Sequence, residues 1–446
     1  MQIKNNAEKN NKYMVGFDLG DRDSQISYCS MKQPEAETVP AVAGTKRYNI
    51  PTVLCKRTGL NQWLYGRDAL RVAEAGEGSI VENLFSGAAA DKKTVIEGSE
   101  YDALTLLTLF VKKCFGLFSA VAPPERIEVL MFTAENSDER VIGVMKQVVD
   151  NLGFTNMKVF FQNHEESYYY YLLHQPPEFR MSGSVILDFE ETLRVYLLEW
   201  NRRTTPVVSF AEEKEFPECE QPVWSENDTE KEEQMRSLDE SFLDIVIEIF
   251  RNRMIGSVFL VGSGFQEEWA DRSLQYICRG RRVFKGNNLY SKGAAFGAYE
   301  RFCPTKEGKE HIFLGREKLK TNIGLQAVRE GRETYLALLD AGINWYDALC
   351  EKEFYLESGD SFQVKLTPLT NVFPEREAAG KYPVRYEKIE LPELPERPEG
   401  VTRLRVTLSM CDALTLHVEA EDLGFGEICP ASGLVWKRDI ALQQRE

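Results

Sequence analysis

The chain of 446 residues and 51.0 kDa exceeds one ordinary globular core, so two or three domains are expected. Its 43% hydrophobic and 28% charged residues argue against disorder and fibrous repeats. With 54 Lys and Arg against 70 Asp and Glu the net charge is −16, which argues against nucleic-acid and anionic-membrane partners.

In chain order, the opening MQIKNNAEKNNKY is polar and lacks a signal-peptide core. Tyr13 to Tyr28 reads as an apolar strand, a polar turn and a returning strand, which is a β-hairpin. Tyr101 to Phe118 is dense enough in Leu, Val and Phe for a largely buried helix. The apolar run from Ala103 to Ala122 is broken by Lys112 and Lys113, so it does not span a bilayer. Ile127 to Thr133 is a short buried strand, followed by a helix capped by Ser137 and closed by Gly153. Lys158 to Gln162 is a further strand leading into a helix from Glu165 to His174, on which Tyr168 to Tyr171 point in different directions. Ser184 to Leu198 repeats the pattern of the first hairpin, Asp188 matching Asp18. Residues 12–303 therefore read as two related halves, or as two ordinary hairpins within one α/β array.

An acidic surface loop is expected over 211–235, then a helix to Arg253, then a buried strand from Ser257 ending in the turn Gly262-Ser263-Gly264. From His311 the period-2 stretches Phe362/Val364/Leu366, Leu404/Val406/Leu408 and Leu414/Leu416/Val418 predict a separate antiparallel β domain over 311–446, with Pro392 to Pro398 a loop. Nine cysteines occur singly without C-x-x-C, which predicts reduced thiols and a cytoplasmic location. The four histidines, at 164, 174, 311 and 417, show no metal-ligand spacing, so no zinc site is expected.

Taken in order, Val15 to Gly20, Ile50 to Val53, Leu64 to Ala69, Phe161 to Ser167, Leu187 to Leu198, Leu260 to Phe265 and Lys292 to Ala298 resemble the motifs of the actin/Hsp70/sugar-kinase ATPase superfamily. Within it the similarity, over residues 13–303, is to Hsp70-like proteins. The resemblance implies an α/β two-lobed actin-like (ribonuclease H-like) fold, with lobe I at about 12–180 and lobe II at about 181–303. It implies that Mg-ATP or Mg-ADP would meet Gly16, Asp18, Gly20, Asp21, Ser24, Asp188, Thr192, Gly262, Ser263 and Gly264. Asp18 and Asp188 would hold Mg²⁺ through water, and Glu165 would position the attacking water. The plainer readings are turn-forming aspartates without a metal and a helix N-terminal carboxylate at Glu165. Val406 to Asp422 looks like the late strands of the Hsp70 peptide-binding sandwich, with no helical lid before the chain ends at Glu446. That likeness implies a protein or peptide partner.

The chain departs from the family pattern in three places. Phe189-Glu190-Glu191 stands where a glycine run should precede Thr192, in a hairpin about one residue shorter. A unit charge ~4 Å from another costs about 4 kcal/mol at an effective dielectric of about 20, so these carboxylates oppose a γ-phosphate. Asp21-Arg22-Asp23 replaces the small residues expected after Gly20. Val81 to Gly87 resembles the segment that supplies a catalytic lysine but contains none, and Lys92 and Lys93 lie beyond it. The expectation is a degenerate nucleotide site on a non-catalytic scaffold or protein-binding module, against a slow Mg-ATP-dependent chaperone-like ATPase. A sugar-kinase-like phosphotransferase finds no base motif.

Overall fold

The apolar runs around Asp18 and Asp188 become the central strands of two separate sheets. The fold is that of a computed structural model describing residues 11–154, 156–286, 288–329, 332–369 and 384–442. Most of the polar opening segment, on which the signal-peptide reading rests, lies outside the described residues. The chain divides into two units, Met1–His311 and Ile312–Glu446.

In the first unit β1 (Tyr13–Leu19) and β2 (Asp23–Ser30) form the expected hairpin, extended by β3 (Glu37–Thr38). Helix α1 (Ala103–Phe118), β4 (Ile127–Ala134), α2 (Glu139–Leu152), β5 (Lys158–Asn163) and α3 (His164–Leu173) follow. The sheet order is β5-β4-β1-β2-β3, with β1, β4 and β5 parallel. The second half repeats this with β6 (Gly183–Phe189), β7 (Thr192–Asn201), β8 (Val207–Glu220), α4 (Asp228–Phe250), β9 (Ile255–Val261), α5 (Asp271–Ile277), β10 (Arg282–Lys285) and α6 (Leu289–Phe302). Its order is β10-β9-β6-β7-β8, again with β6, β9 and β10 parallel. Of the two readings the sequence left open, the related halves prevail. Residues 50–102 interrupt the first half between β3 and α1 with short strands and helices that the second half lacks.

The central strands bury side chains on both faces, as helix-covered parallel strands must. Met14, Val15 and Phe17 do so on β1, and Val185, Ile186 and Leu187 on β6. Helix α4 covers the second sheet through Phe242, Val246 and Ile249, which join Leu187, Val258 and Trp269 in one core.

Three local readings need correction. Asp138, not Ser137, caps α2: its carboxylate accepts from the Val141 N–H, while Ser137 is buried one residue earlier. Helix α3 begins at His164, because Asn163 caps it by accepting from the Glu166 N–H. The acidic segment from 211 is not a loop but continues β8 to Glu220. Arg194 on β7 neutralises it across the ladder, with Glu213 at 3.2 Å and Glu215 at 2.8 Å.

Among the described residues the second unit is mainly β, as its period-2 patterning predicts, with one short 3-10 turn at Trp345–Asp347. Strands β11 (Thr321–Arg329), β12 (Arg332–Leu339), β13 (Leu349–Leu356), β14 (Ser361–Pro368), β15 (Arg385–Glu390), β16 (Thr402–Asp412), β17 (Thr415–Asp422) and β18 (Val435–Ala441) form two antiparallel sheets. Their orders are β12-β11-β14-β15 and β13-β16-β17-β18. Val364, Leu366, Leu404, Val406, Leu408, Leu416 and Val418 are buried, whereas Leu414 stays exposed at the β16–β17 turn. The Pro392 to Pro398 segment is a loop, pinned by Arg397, whose guanidinium donates twice to the buried Asp422 carboxylate at 2.6 Å. No helix among the described residues is long and apolar enough to cross a membrane.

Candidate functional site

Asp18 and Asp188 hold the same place in their halves, one residue before the ends of β1 and β6. Beside each runs a parallel strand, with Thr133 of β4 opposite Asp18 and Val261 of β9 opposite Asp188. In each half the helix that follows the last parallel strand starts at this same end of its sheet and supplies the aspartate with an aromatic partner. His164, the first residue of α3, donates from Nε2 to Asp18 Oδ1 at 2.8 Å. Tyr290, the second residue of α6, donates its hydroxyl to Asp188 Oδ2 at 2.7 Å. The two rings stack on one another with centroids 3.8 Å apart and planes 4° apart. Asp18, His164, Tyr290 and Asp188 thereby form one continuous bridge at a cleft of about 580 Å³.

Glycine sets the closeness of the two helices. A Cβ on Gly293 of α6 would lie 1.9 Å from the Ser167 carbonyl oxygen of α3. Gly16 has a related role and does not line the cleft. Its Cβ would lie 2.3 Å from the Ala295 nitrogen, so it lets β1 pack against α6.

Electrostatics distinguish the two ends of the bridge. Burial pulls the His164 imidazole down, but the charge and hydrogen bond of Asp18 outweigh it and hold it above the ordinary histidine value. Burial pushes the Asp188 carboxyl up against the hydrogen bond from Tyr290. The Tyr290 phenol is driven well above its usual range by burial and then by Asp188. One aspartate therefore faces an ionisable donor and the other a neutral one.

The hairpin tips close the cleft mouth. Arg22 Nη1 donates to Glu190 Oε2 at 3.2 Å and to Ser263 Oγ at 2.9 Å. Glu190 also accepts from the Ser263 N–H at 3.2 Å and hydroxyl at 2.7 Å. Partial desolvation holds the half-exposed Glu190 carboxyl above its ordinary value, against these bonds. Asp21 Oδ1 accepts from the Phe85 and Ser86 N–H groups at 3.0 and 2.9 Å. Arg194, also lining the cleft, reaches Glu135 at 2.5 Å.

Asp18, Gly20, Asp21, Asp188, Thr192 and Gly262 line this one cleft, and Ser263 meets its rim through Glu190. Ser24 does not line it: it is fully buried, its hydroxyl 2.8 Å from that of Thr52. Gly262 and Gly264 are shaped by packing. Gly262 has φ near 100°, and a Cβ on it would lie 2.3 Å from the Phe189 carbonyl oxygen. A Cβ on Gly264 would lie 2.5 Å from the Phe189 ring. Glu165 is buried at 2% exposure and is not among the cleft-lining residues, because the helix turns His164 toward the cleft instead. The sequence reading missed His164 and Tyr290. The available signal was an aromatic residue opening the helix after the last parallel strand of each half.

These residues do not fit Mg-ATP. The aspartates that would organise hydrated Mg²⁺ are engaged by His164 and Tyr290, and the Ser263 N–H is engaged by Glu190. No lysine is among the cleft-lining residues.

No curated protein matches the chain. Residues 318–442 match a domain described as a domain of unknown function, DUF8552. Residues 35–316, more than half of the chain, match the C-terminal part of the family of unknown function DUF5716, and the chain belongs to that family.

Proposed function

We propose that residues 12–303 are an actin/Hsp70-like scaffold that does not hydrolyse ATP, and that the protein acts in the cytoplasm as a protein- or peptide-binding module. The observation that carries this reading is the Asp18–His164–Tyr290–Asp188 bridge. It puts protein donors on the two carboxylates that hydrated Mg²⁺ would need free. A phosphate entering beside Asp188 and Glu190 would also meet two carboxylates in a partly desolvated cleft, where charge repulsion is poorly screened.

Partner binding finds support in the second unit. Strand β13 is the edge of its sheet and exposes Leu349 and Tyr355. An edge strand offers backbone donors and acceptors to an extended peptide, with alternate side chains to grip it.

A second reading, a slow Mg-ATP-dependent ATPase of chaperone type, rests on Asp18, Gly20, Asp188 and Gly262 meeting in one cleft. Calorimetric titration with Mg-ATP and Mg-ADP separates the two. Silence at millimolar nucleotide supports the scaffold, and binding tighter than about 100 µM, roughly −5.5 kcal/mol, overturns it.

A further inference from the structure

The outer face of the β13-β16-β17-β18 sheet carries a side-chain group unrelated to the cleft. Strand alternation turns Leu416, Val418 and Ile440 inward and leaves His417 and Asp439 on the opposite face, where they pair in register. His417 Nδ1 and Asp439 Oδ1 are 2.6 Å apart. On the other side of His417 the β16–β17 register shifts between Met410 and Asp412. Cys411, the extra residue of this bulge, is exposed. Thiol, imidazole and carboxylate ligand atoms all lie within 4.8 Å of one another.

We propose that Cys411, His417 and Asp439 bind a zinc-class divalent cation, leaving its remaining coordination positions to water or an incoming ligand. Zinc bonds to sulfur, nitrogen and oxygen run about 2.0–2.3 Å, so small rotamer adjustments bring the three donors onto one ion. A thiolate with an imidazole selects zinc, cobalt or cadmium over magnesium or calcium, which prefer all-oxygen sites. Ligation displaces the thiol proton, which is released to solvent, and leaves His417 neutral. Three laddered strands hold the backbone of the site in place, and a bulge at such a position re-aims a side chain.

The test uses the untagged, reduced, full-length protein titrated with Co²⁺, reading thiolate-to-cobalt charge-transfer absorption. The expected result is a saturable band that Zn²⁺ bleaches and that Cys411→Ser abolishes. His417→Ala and Asp439→Ala should each weaken binding by about 10-fold or more. Replacing the exposed Cys278 by serine should leave the band unchanged. No band at millimolar Co²⁺ overturns the proposal, as does a band that survives Cys411→Ser in a variant with native circular dichroism.

Discussion

The two halves of the first unit are alike in their strands and unlike at their tips. Strands β1 and β6 have the same succession of buried and half-buried positions, residue for residue. Their turns differ in length and chemistry: Gly20-Asp21-Arg22 joins β1 to β2, and Glu190-Glu191 joins β6 to β7. The strands answer to one requirement, a chain covered on both faces. Each tip answers to what stands across the cleft from it. Equivalent aspartates likewise have partners of different chemistry, an imidazole at His164 for Asp18 and a phenol at Tyr290 for Asp188. A repeated fold can thus keep its architecture while each copy receives its own electrostatics.

The largest expected effects come from forcing the halves apart. Gly293→Val drives a branched side chain into the Ser167 backbone, and Gly16→Ala drives a methyl into α6. Each should cost about 3 kcal/mol, the upper part of the overpacking range, measured by urea unfolding. Gly116, on α1 with open space around it, is the control. Gly116→Ala should stabilise by roughly 0.4–1 kcal/mol. Equal losses at all three would mean that helix packing does not join the halves.

Removing one donor tests the two ends of the bridge separately. Tyr290→Phe leaves the half-buried Asp188 carboxylate without its hydroxyl and should cost about 1–3 kcal/mol. His164 predicts a pH dependence. Its folded value lies above the ordinary one, so its contribution is complete below about pH 6.5 and is lost as pH rises through the folded value. The raised Asp188 carboxyl acts in the same direction, its contribution falling as pH climbs from about 4. Asp422 in the second unit has the opposite sign. Burial works against it, but Arg397 and two backbone donors hold it far below its ordinary value, so its contribution is lost only as pH falls into the acid range. His164→Gln should flatten the melting-temperature profile above neutrality while leaving the acid limb unchanged. A steeper profile would mean that His164 is neutral in the fold.

Replacing Glu190 and Glu191 together by glycine tests whether the tip alone excludes nucleotide. Glycine should cost up to about 1 kcal/mol per site through unfolded-state entropy. With His164 and Tyr290 still on the aspartates, millimolar Mg-ATP should leave the variant's melting temperature unmoved. A ligand bound only to the folded state would raise it. A clear rise would show that the carboxylates alone keep the site closed.

The strands, the order of elements and the β character of the second unit were legible because burial periodicity is written locally. Val15 to Leu19 and Ser184 to Phe189 announce buried strands whatever surrounds them. The bridge was not legible, because His164 and Tyr290 meet through a helix crossing set by Gly293, and one chain order does not reveal that proximity. Glu165 drew attention as a carboxylate in a family motif, yet the Asn163 cap fixes the helix phase and directs His164 to the cleft. The acidic strand β8 read as a loop because its partner, Arg194, is one strand away. The triad Cys411, His417 and Asp439 escaped for the same reason. Ligand spacings are recognisable along one helix or knuckle, whereas three neighbouring strands and a bulge leave no fixed spacing.

The smallest effect is expected at the cleft mouth, where Arg22 and Glu190 join the two tips. Their side chains are 60% and 50% exposed, so water and salt compete for both charges. Exposed pairs of this kind contribute about 0.2–1 kcal/mol. The shared hydroxyl of Ser263 orders both groups and places this pair toward the upper part of that range. A double-mutant cycle over Arg22→Ala and Glu190→Ala isolates the coupling from the contacts each residue makes alone. Urea unfolding in 0.1 M and 1 M salt then separates charge from hydrogen bonding, because the Debye length falls from about 10 Å to about 3 Å over that range. The coupling should shrink toward zero in high salt, while the loss from Ser263→Ala should persist. A coupling above about 2 kcal/mol, unchanged by salt, would mean that the tips form a desolvated latch. The unlike tips would then do as much as the like strands to hold the two halves together.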